Sequence, residues 1–167
     1  MMGMQEITKV RNYMTKDPVS LPNTSTLQDA IDTMAKKGIG NLVVTDGATI
    51  GILTEREILN YLHLSGKIPD KLLGDIMLRQ FTKVSPETPV VEAAKKMIST
   101  KTRLLVYESD KLVGIITTSD FAKALSKTTD RNPSLEKVMS RNVFSLESYA
   151  SILEAIKVMD KRRIGSV

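Results

Sequence analysis

Gly114-Ile115-Ile116-Thr117-Thr118-Ser119-Asp120 carries three kinds of signal in one short stretch. Gly114 to Thr117 is an apolar run that predicts a buried strand. Thr117 stands three residues ahead of Asp120, so its hydroxyl is placed to cap a following helix while the carboxylate reaches back, an Asp version of the capping box. Such a helix start leaves N–H groups unpaired at the positive end of the helix dipole, where phosphate is welcome. Taken alone, the pattern is an ordinary helix cap. It occurs twice, and the repetition decides the fold.

Met14 and Met34 are twenty positions apart, as are Met77 and Met97, and Met139 and Met159, which gives an internal period of about 63 residues. Laying residue 14 on residue 77 sets Pro18-Val19-Ser20 beside Phe81-Thr82-Lys83, Ala30 beside Ala93, and Gly51-Ile52-Leu53-Thr54 beside Gly114-Ile115-Ile116-Thr117. Glu57 falls on Asp120. Self-similarity at fixed spacing means one supersecondary unit copied, and a unit of this size needs its copy to bury its apolar face.

Each unit reads as strand, helix, strand, strand, helix, an α+β pattern. In the first copy, Met14 to Leu21 is a short extended stretch broken by Pro18 and Pro22. Ser25, with Gln28 as its capping partner, starts a helix whose buried face is Leu27, Ala30, Ile31 and Met34. Gly38 and Gly40 end that helix. Asn41 to Thr45 and Thr49 to Leu53 form a strand pair about Asp46-Gly47, and Thr54 to Glu57 is a capping box opening a second helix. The stretch His63 to Lys71 reads as an exposed connection, with His63 at the helix end. In the second copy, Thr88 and Pro89 supply an N-cap and first helical position, with Val90, Ala93, Ala94 and Met97 facing inward. Leu104 to Tyr107 and Lys111 to Ile116 pair about Ser109-Asp110. A third copy restarts at Leu135 to Met139, and Ser151 with Glu154 caps a helix bearing Ala155, Ile156 and Met159. It has no second capping turn. Three outcomes are open to it: packing on the first two copies, pairing with another chain, or joining residues beyond Val167, the last being the favoured expectation. The expected division is a tail over 1–9, a first repeat over 10–62, a linker over 63–71, a second repeat over 72–127 and a partial third over 131–167.

Composition narrows the chemistry. The chain has 167 residues, 41% of them hydrophobic, which suffices for a real core. Aromatics are scarce and Trp is absent, so that core must be aliphatic and methionine-rich. There is no Cys and a single His, His63, which excludes disulfides and thiolate metal sites and leaves little for zinc or a His-based nucleophilic triad. No apolar run approaches the roughly 18 residues of a membrane span, so a soluble, cytoplasmic protein is expected. The net charge of +5 comes from 24 basic residues dispersed among 19 acidic ones, which favours a mixed surface over a nucleic-acid stripe, although folding could still gather a basic stripe that sequence order hides.

Three landmarks together, Tyr13-Met14-Thr15-Lys16-Asp17-Pro18-Val19, Gly38-Ile39-Gly40-Asn41-Leu42-Val43-Val44 and Gly114 to Asp120, resemble the cystathionine β-synthase (CBS) domain family. The resemblance implies tandem CBS domains paired with pseudo-two-fold symmetry as a Bateman module, with two clefts for an adenosine derivative such as AMP, ADP, ATP or S-adenosylmethionine. In the family each cleft is composite. The main site would use Asp120 for the ribose hydroxyls, Thr117 and Ser119 toward phosphate, and Ile115 through its backbone, with Val19, Ile39 and Gly40 about the base. The second site would use Ile52, Thr54, Arg56 and Glu57 with Thr82, Thr102 and Arg103. There Glu57 replaces the family's Asp with a side chain one methylene longer, and Arg56 and Arg103 are placed to pair with phosphate instead.

Two classes of function follow. The first is a regulatory sensor that binds an adenosine ligand and passes the population shift to a regulated protein; the second is a protein-interaction or nucleic-acid-binding module with a vestigial cleft. The intact Gly114 to Asp120 stretch favours the first. An enzyme is not expected: the sequence has no Walker loop ending in Gly-Lys-Ser/Thr and no recognisable metal cluster. The family also suggests a homodimer through the amphipathic helices.

Overall fold

A computed structural model describes residues 8–47, 50–128 and 134–167. Along the chain its elements are β1 (Thr15–Lys16), β2 (Ser20–Pro22), α1 (Leu27–Lys37), β3 (Asn41–Thr45), β4 (Ile50–Thr54), α2 (Glu55–Ser65) and α3 (Leu73–Ile76). There follow β5 (Phe81–Val84), α4 (Val90–Thr100), β6 (Arg103–Glu108), β7 (Lys111–Ile116), α5 (Thr118–Thr128), α6 (Leu135–Val138) and α7 (Ile152–Arg162). They form two compact units, and each draws on more than one copy of the repeat.

The first unit takes its described residues from 8–19 and 78–128. Its sheet has the order β1-β7-β6-β5, with β5 and β6 parallel and the other pairs antiparallel. Ser109 and Asp110, at φ 47° and 63°, make the tight turn between β6 and β7. Val84, Leu104, Val106 and Ile116 on one sheet face pack with Val90 and Ala93 of α4 and with Phe121 and Ala124 of α5. The alternate residues Leu105 and Ile115 are buried as well. Strands buried on both faces explain why these runs are continuously apolar.

The second unit takes residues 20–47, 50–77 and 134–167. Its sheet has the order β2-β3-β4, with β2 parallel and β4 antiparallel to β3. Leu27, Ala30 and Met34 of α1 lie on Leu42, Val44 and Leu53, joined by Leu73, Ile76 and Met77 from the start of the second copy. Val43 and Ile52 fill the opposite face.

The opening segments are therefore exchanged. The stretch Met14 to Leu21, expected to be extended with a break at Pro18, is two strands in two sheets: Thr15 pairs with Ile115, whereas Ser20 pairs with Val43. Asp17, at φ 47°, and Pro18 make the break between them. Each exchanged methionine rests on a strand glycine. A Cβ on Gly51 would lie 2.5 Å from the Met77 sulfur, and one on Gly114 would lie 2.9 Å from the Met14 sulfur. These glycines are needed for space rather than for backbone freedom.

Several local expectations shift. The N-cap of α1 is Thr26 rather than Ser25, because Asp29, not Gln28, supplies the partner: its Oδ2 accepts from the Thr26 N–H and hydroxyl, both at 2.8 Å. Gln28 donates to Asp32 instead. The N-cap of α4 is Pro89, with Val90 first in the helix. The Thr88 hydroxyl is occupied by the Ser85 N–H at 3.1 Å, and the Val90 N–H goes to the Thr8 carbonyl at 2.8 Å. Helix α2 continues through His63 to Ser65 and is closed by Gly66 at φ 69°, so the exposed connection starts later than 63. Strand β4 ends at Thr54, and Thr49, expected to begin it, lies outside the described residues, as do 1–7 and 131–133. The third copy packs in part on the first: α7, capped by Ser151 and Glu154 as expected, lies against α2 with Ile156 buried and His63 Nε2 3.8 Å from Asp160 Oδ2.

Two consequences are measurable. Met77→Ala should cost about 2–5 kcal/mol in urea unfolding and Gly51→Val about 1–3 kcal/mol. In the double variant the costs should be less than additive, because the shortened side chain makes room for the valine; strict additivity would exclude the close contact. The second concerns Asp29, whose carboxyl is held below its ordinary value of 3.8, first by the Thr26 N–H and then by the Thr26 hydroxyl. A lowered folded-state value means that the stabilisation is present above the unfolded value and is lost as pH falls through the folded one. Asp29→Asn should therefore lower the thermal midpoint at pH 7, and the gap from the parent should close on acidification below the ordinary carboxylate range.

Candidate functional site

At the end of β7 the chain turns at Thr117 into α5. The Thr117 N–H and hydroxyl both donate to Asp120 Oδ2, at 2.9 and 2.8 Å. The hydroxyl is thus a donor to the carboxylate, rather than the expected acceptor for the helix N–H groups. The Asp120 and Phe121 N–H groups go to the Thr117 carbonyl. Asp120 is only 5% exposed, yet its other oxygen, Oδ1, has a 3.5 Å contact to Lys123 Nζ, on a side chain 70% exposed. One carboxylate oxygen is fixed by the turn, and the other meets a largely exposed cation. This arrangement suits a carboxylate that accepts hydroxyl hydrogens from a ligand. Ile115 is buried beside it in β7, and Ser119 is exposed in the first turn of α5.

The copy of this turn in the second unit is built the same way. The Thr54 N–H donates to Glu57 Oε2 at 3.2 Å, and the Thr54 hydroxyl donates to the same oxygen. The extra methylene of Glu57 does not open the turn. Thr54 is buried, Glu57 half-buried, Arg56 exposed and Ile52 fully buried.

The remaining residues lie at strand entries. Ile39 and Gly40 follow the left-handed Gly38 that ends α1. The Glu55 N–H donates to the Gly40 carbonyl at 3.0 Å, and a Cβ on Gly40 would lie 3.0 Å from the Glu55 carboxylate. Both residues line an apolar cleft of about 470 Å³ between α1 and α2, walled by Ile31, Ala35 and Ile58 with Glu55 at its edge. In the first unit, Thr82 and Thr102 have their hydroxyl oxygens 2.6 Å apart, with Thr100 2.9 Å from Thr102, and Arg103 pairs in register with Phe81. Thr100 was not singled out from the sequence. Its place in the cluster follows from Lys101, whose φ of 53° turns the helix end so that the flanking threonines converge.

The residues of each expected site divide between the units. Val19, Ile115, Thr117, Ser119 and Asp120 belong to the first and Ile39 and Gly40 to the second; Thr82, Thr102 and Arg103 belong to the first and Ile52, Thr54, Arg56 and Glu57 to the second. Among the described residues no group of three or more His, Cys, Asp or Glu could hold a metal ion, and no helix is long and apolar enough to cross a membrane.

Comparison with known proteins agrees with this architecture. The profile of the CBS domain matches residues 10–64, 73–127 and 135–167. An uncharacterized protein of Methanocaldococcus jannaschii is 24% identical over 173 aligned positions, covering 95% of this chain and 61% of the relative. The chain spans 61%, 15% and 56% of the lengths of three curated relatives that it matches. Among solved structures, CBSX2 in complex with AMP is 28% identical, with a TM-score of 0.59, and covers 71% of this chain and 96% of that one. The hexameric CBS-CP12 protein from bloom-forming cyanobacteria is 26% identical, with a TM-score of 0.65, covering 75% and 76%.

Asp120→Asn tests the turn by itself. It keeps the shape but removes the charged acceptor for two hydrogen bonds, so a loss of about 1–3 kcal/mol is expected in urea unfolding. An unchanged midpoint would mean that the carboxylate is not held by Thr117 in solution.

Proposed function

Because the chain belongs to the CBS domain family, we propose that it is a non-catalytic regulatory module that binds an adenosine-containing ligand, AMP, ADP, ATP or S-adenosylmethionine, and signals its occupancy to a protein partner. The observation that carries this reading is Asp120: a buried carboxylate with one oxygen fixed by Thr117 and the other left for a ligand. The AMP complex of the similar CBSX2 supports the ligand class.

In this proposal Asp120 Oδ1 accepts from the ribose hydroxyls. Ser119 and the first N–H groups of α5 face the phosphate, which needs no metal there, while Thr117, whose N–H and hydroxyl both donate to Asp120 Oδ2, serves the site by holding that carboxylate. Val19, Ile39 and Gly40 border the adenine, whose flat apolar faces suit side chains with backbone partners close by. Glu57, a methylene longer and closed on Thr54, makes the corresponding turn the weaker of the two. The module acts by differential binding: a ligand that favours one arrangement shifts the population toward it. A homodimer through helix faces is part of the same proposal.

Calorimetric titration with AMP, ADP, ATP and S-adenosylmethionine tests it. Saturable binding of at least one is expected, weakened at least tenfold, about 1.4 kcal/mol, in Asp120→Ala. Glu57→Ala should have the smaller effect. Failure of the folded parent to bind any of the four would overturn the reading and turn attention to nucleic acid and protein partners.

A further inference from the structure

We propose that Lys123 determines which adenosine ligand the Asp120 site takes, selecting a 5′-phosphate over a 5′ group that is uncharged or cationic; this rests on the reading in which Asp120 receives the ribose. Such a site has an electrostatic problem to solve. The phosphate and the Asp120 carboxylate are both negative, and at 5% exposure the carboxylate is poorly screened by solvent. The dipole of α5 offers about half an elementary positive charge at its start, less than the carboxylate takes away. With the carboxylate alone, the helix start repels a phosphate. With an ammonium added, it attracts one.

Lys123 is placed to supply that ammonium. From Thr118 to Leu125, the first two turns of α5, the charged residues are Asp120 and Lys123. Lys123 stands one turn after Asp120, and helical side chains lean toward the N-terminus. Its Nζ is thereby carried back to the capping turn, 3.5 Å from Asp120 Oδ1. That separation is longer than the roughly 2.7–2.9 Å of a strong charge-assisted hydrogen bond, and the side chain is 70% exposed. The ammonium is therefore not committed to the carboxylate. It has three donors, enough to keep Oδ1 and also meet a phosphate oxygen beside the exposed Ser119.

The other capping turn supplies the contrast. At the repeat spacing of 63 residues, Asn60 stands where Lys123 does and Glu55 where Thr118 does. The start of α2, Glu55 to Leu62, thus carries Glu55 and Glu57 against Arg56. One carboxylate is unbalanced there, whereas Asp120 and Lys123 balance each other on α5. The hydrogen-bonded turn is the same in both units, but the charge it presents to the tail of a ligand differs, which is what discrimination between such tails requires.

The test is calorimetric titration of the full chain with AMP, adenosine and S-adenosylmethionine, whose 5′ groups are anionic, neutral and net cationic. The parent is compared with Lys123→Met, which keeps an unbranched stem without the charge, and with Lys123→Arg, the fold of each checked by its thermal midpoint. The parent should bind AMP more tightly than either of the other two. In Lys123→Met, AMP binding should weaken at least tenfold while adenosine binding stays within a few-fold, and Lys123→Arg should keep the preference for AMP. An equal change for AMP and adenosine in Lys123→Met would overturn the proposal while leaving the site in place, as would a parent that takes S-adenosylmethionine more tightly than AMP. A folded parent that binds none of the three would overturn the reading of the Asp120 site, and the role of Lys123 with it.

Discussion

Within each unit, a methionine packs against a strand glycine. Gly51 and Gly114 leave room for one side chain above the strand, and Met77 and Met14 fill it from a segment that belongs, by sequence, to the other repeat. Neither repeat is complete by itself. The second unit closes over a short span of chain, Gly51 to Met77, while the first must bring together Met14 and Gly114, 100 residues apart. Loop-closure entropy makes the longer closure dearer by about 1 kcal/mol. The first unit therefore depends more on the burial of Val10, Leu104, Val106 and Ile116.

This exchange matters for function because it fixes where the capping turns sit. Strand β7 is gripped on one side by β6 and on the other by β1, with Thr15 opposite Ile115. The turn at Thr117 starts from a strand paired on both edges, and the Asp120 carboxylate is tied to that strand end through its two bonds to Thr117. Preorganisation of this kind lowers the cost of ordering a site when a ligand arrives. Thr54 and Glu57 reproduce the turn, so duplication has preserved the scaffold in both copies while the acidic side chain differs by one methylene.

Much of this was legible in the sequence, because period and capping chemistry are local. The 63-residue repeat, the strand pairs about Asp46-Gly47 and Ser109-Asp110, and the inward faces of α1, α4 and α7 follow from spacing alone. The exchange was not legible: Pro18 marks a break within Met14 to Leu21, but the sequence does not say that the halves on either side of it join different sheets. Caps were misplaced by one residue at Ser25 and Thr88 for a related reason, since adjacent hydroxyl or proline candidates compete and tertiary partners choose among them. The threonine cluster about Thr102 was half-seen, because its third member depends on the left-handed turn at Lys101.

The most direct test of the central claim is a titration of the protein, isotopically labelled at its isoleucine methyl groups, with AMP, ADP, ATP and S-adenosylmethionine in turn, followed by nuclear magnetic resonance. If Asp120 marks the working site, the Ile115 and Ile39 methyl signals shift together and saturate together, and Ile52 follows only at higher concentration. Shifts confined to Ile52, or none in any of the three with any of the four ligands in a folded sample, would contradict it.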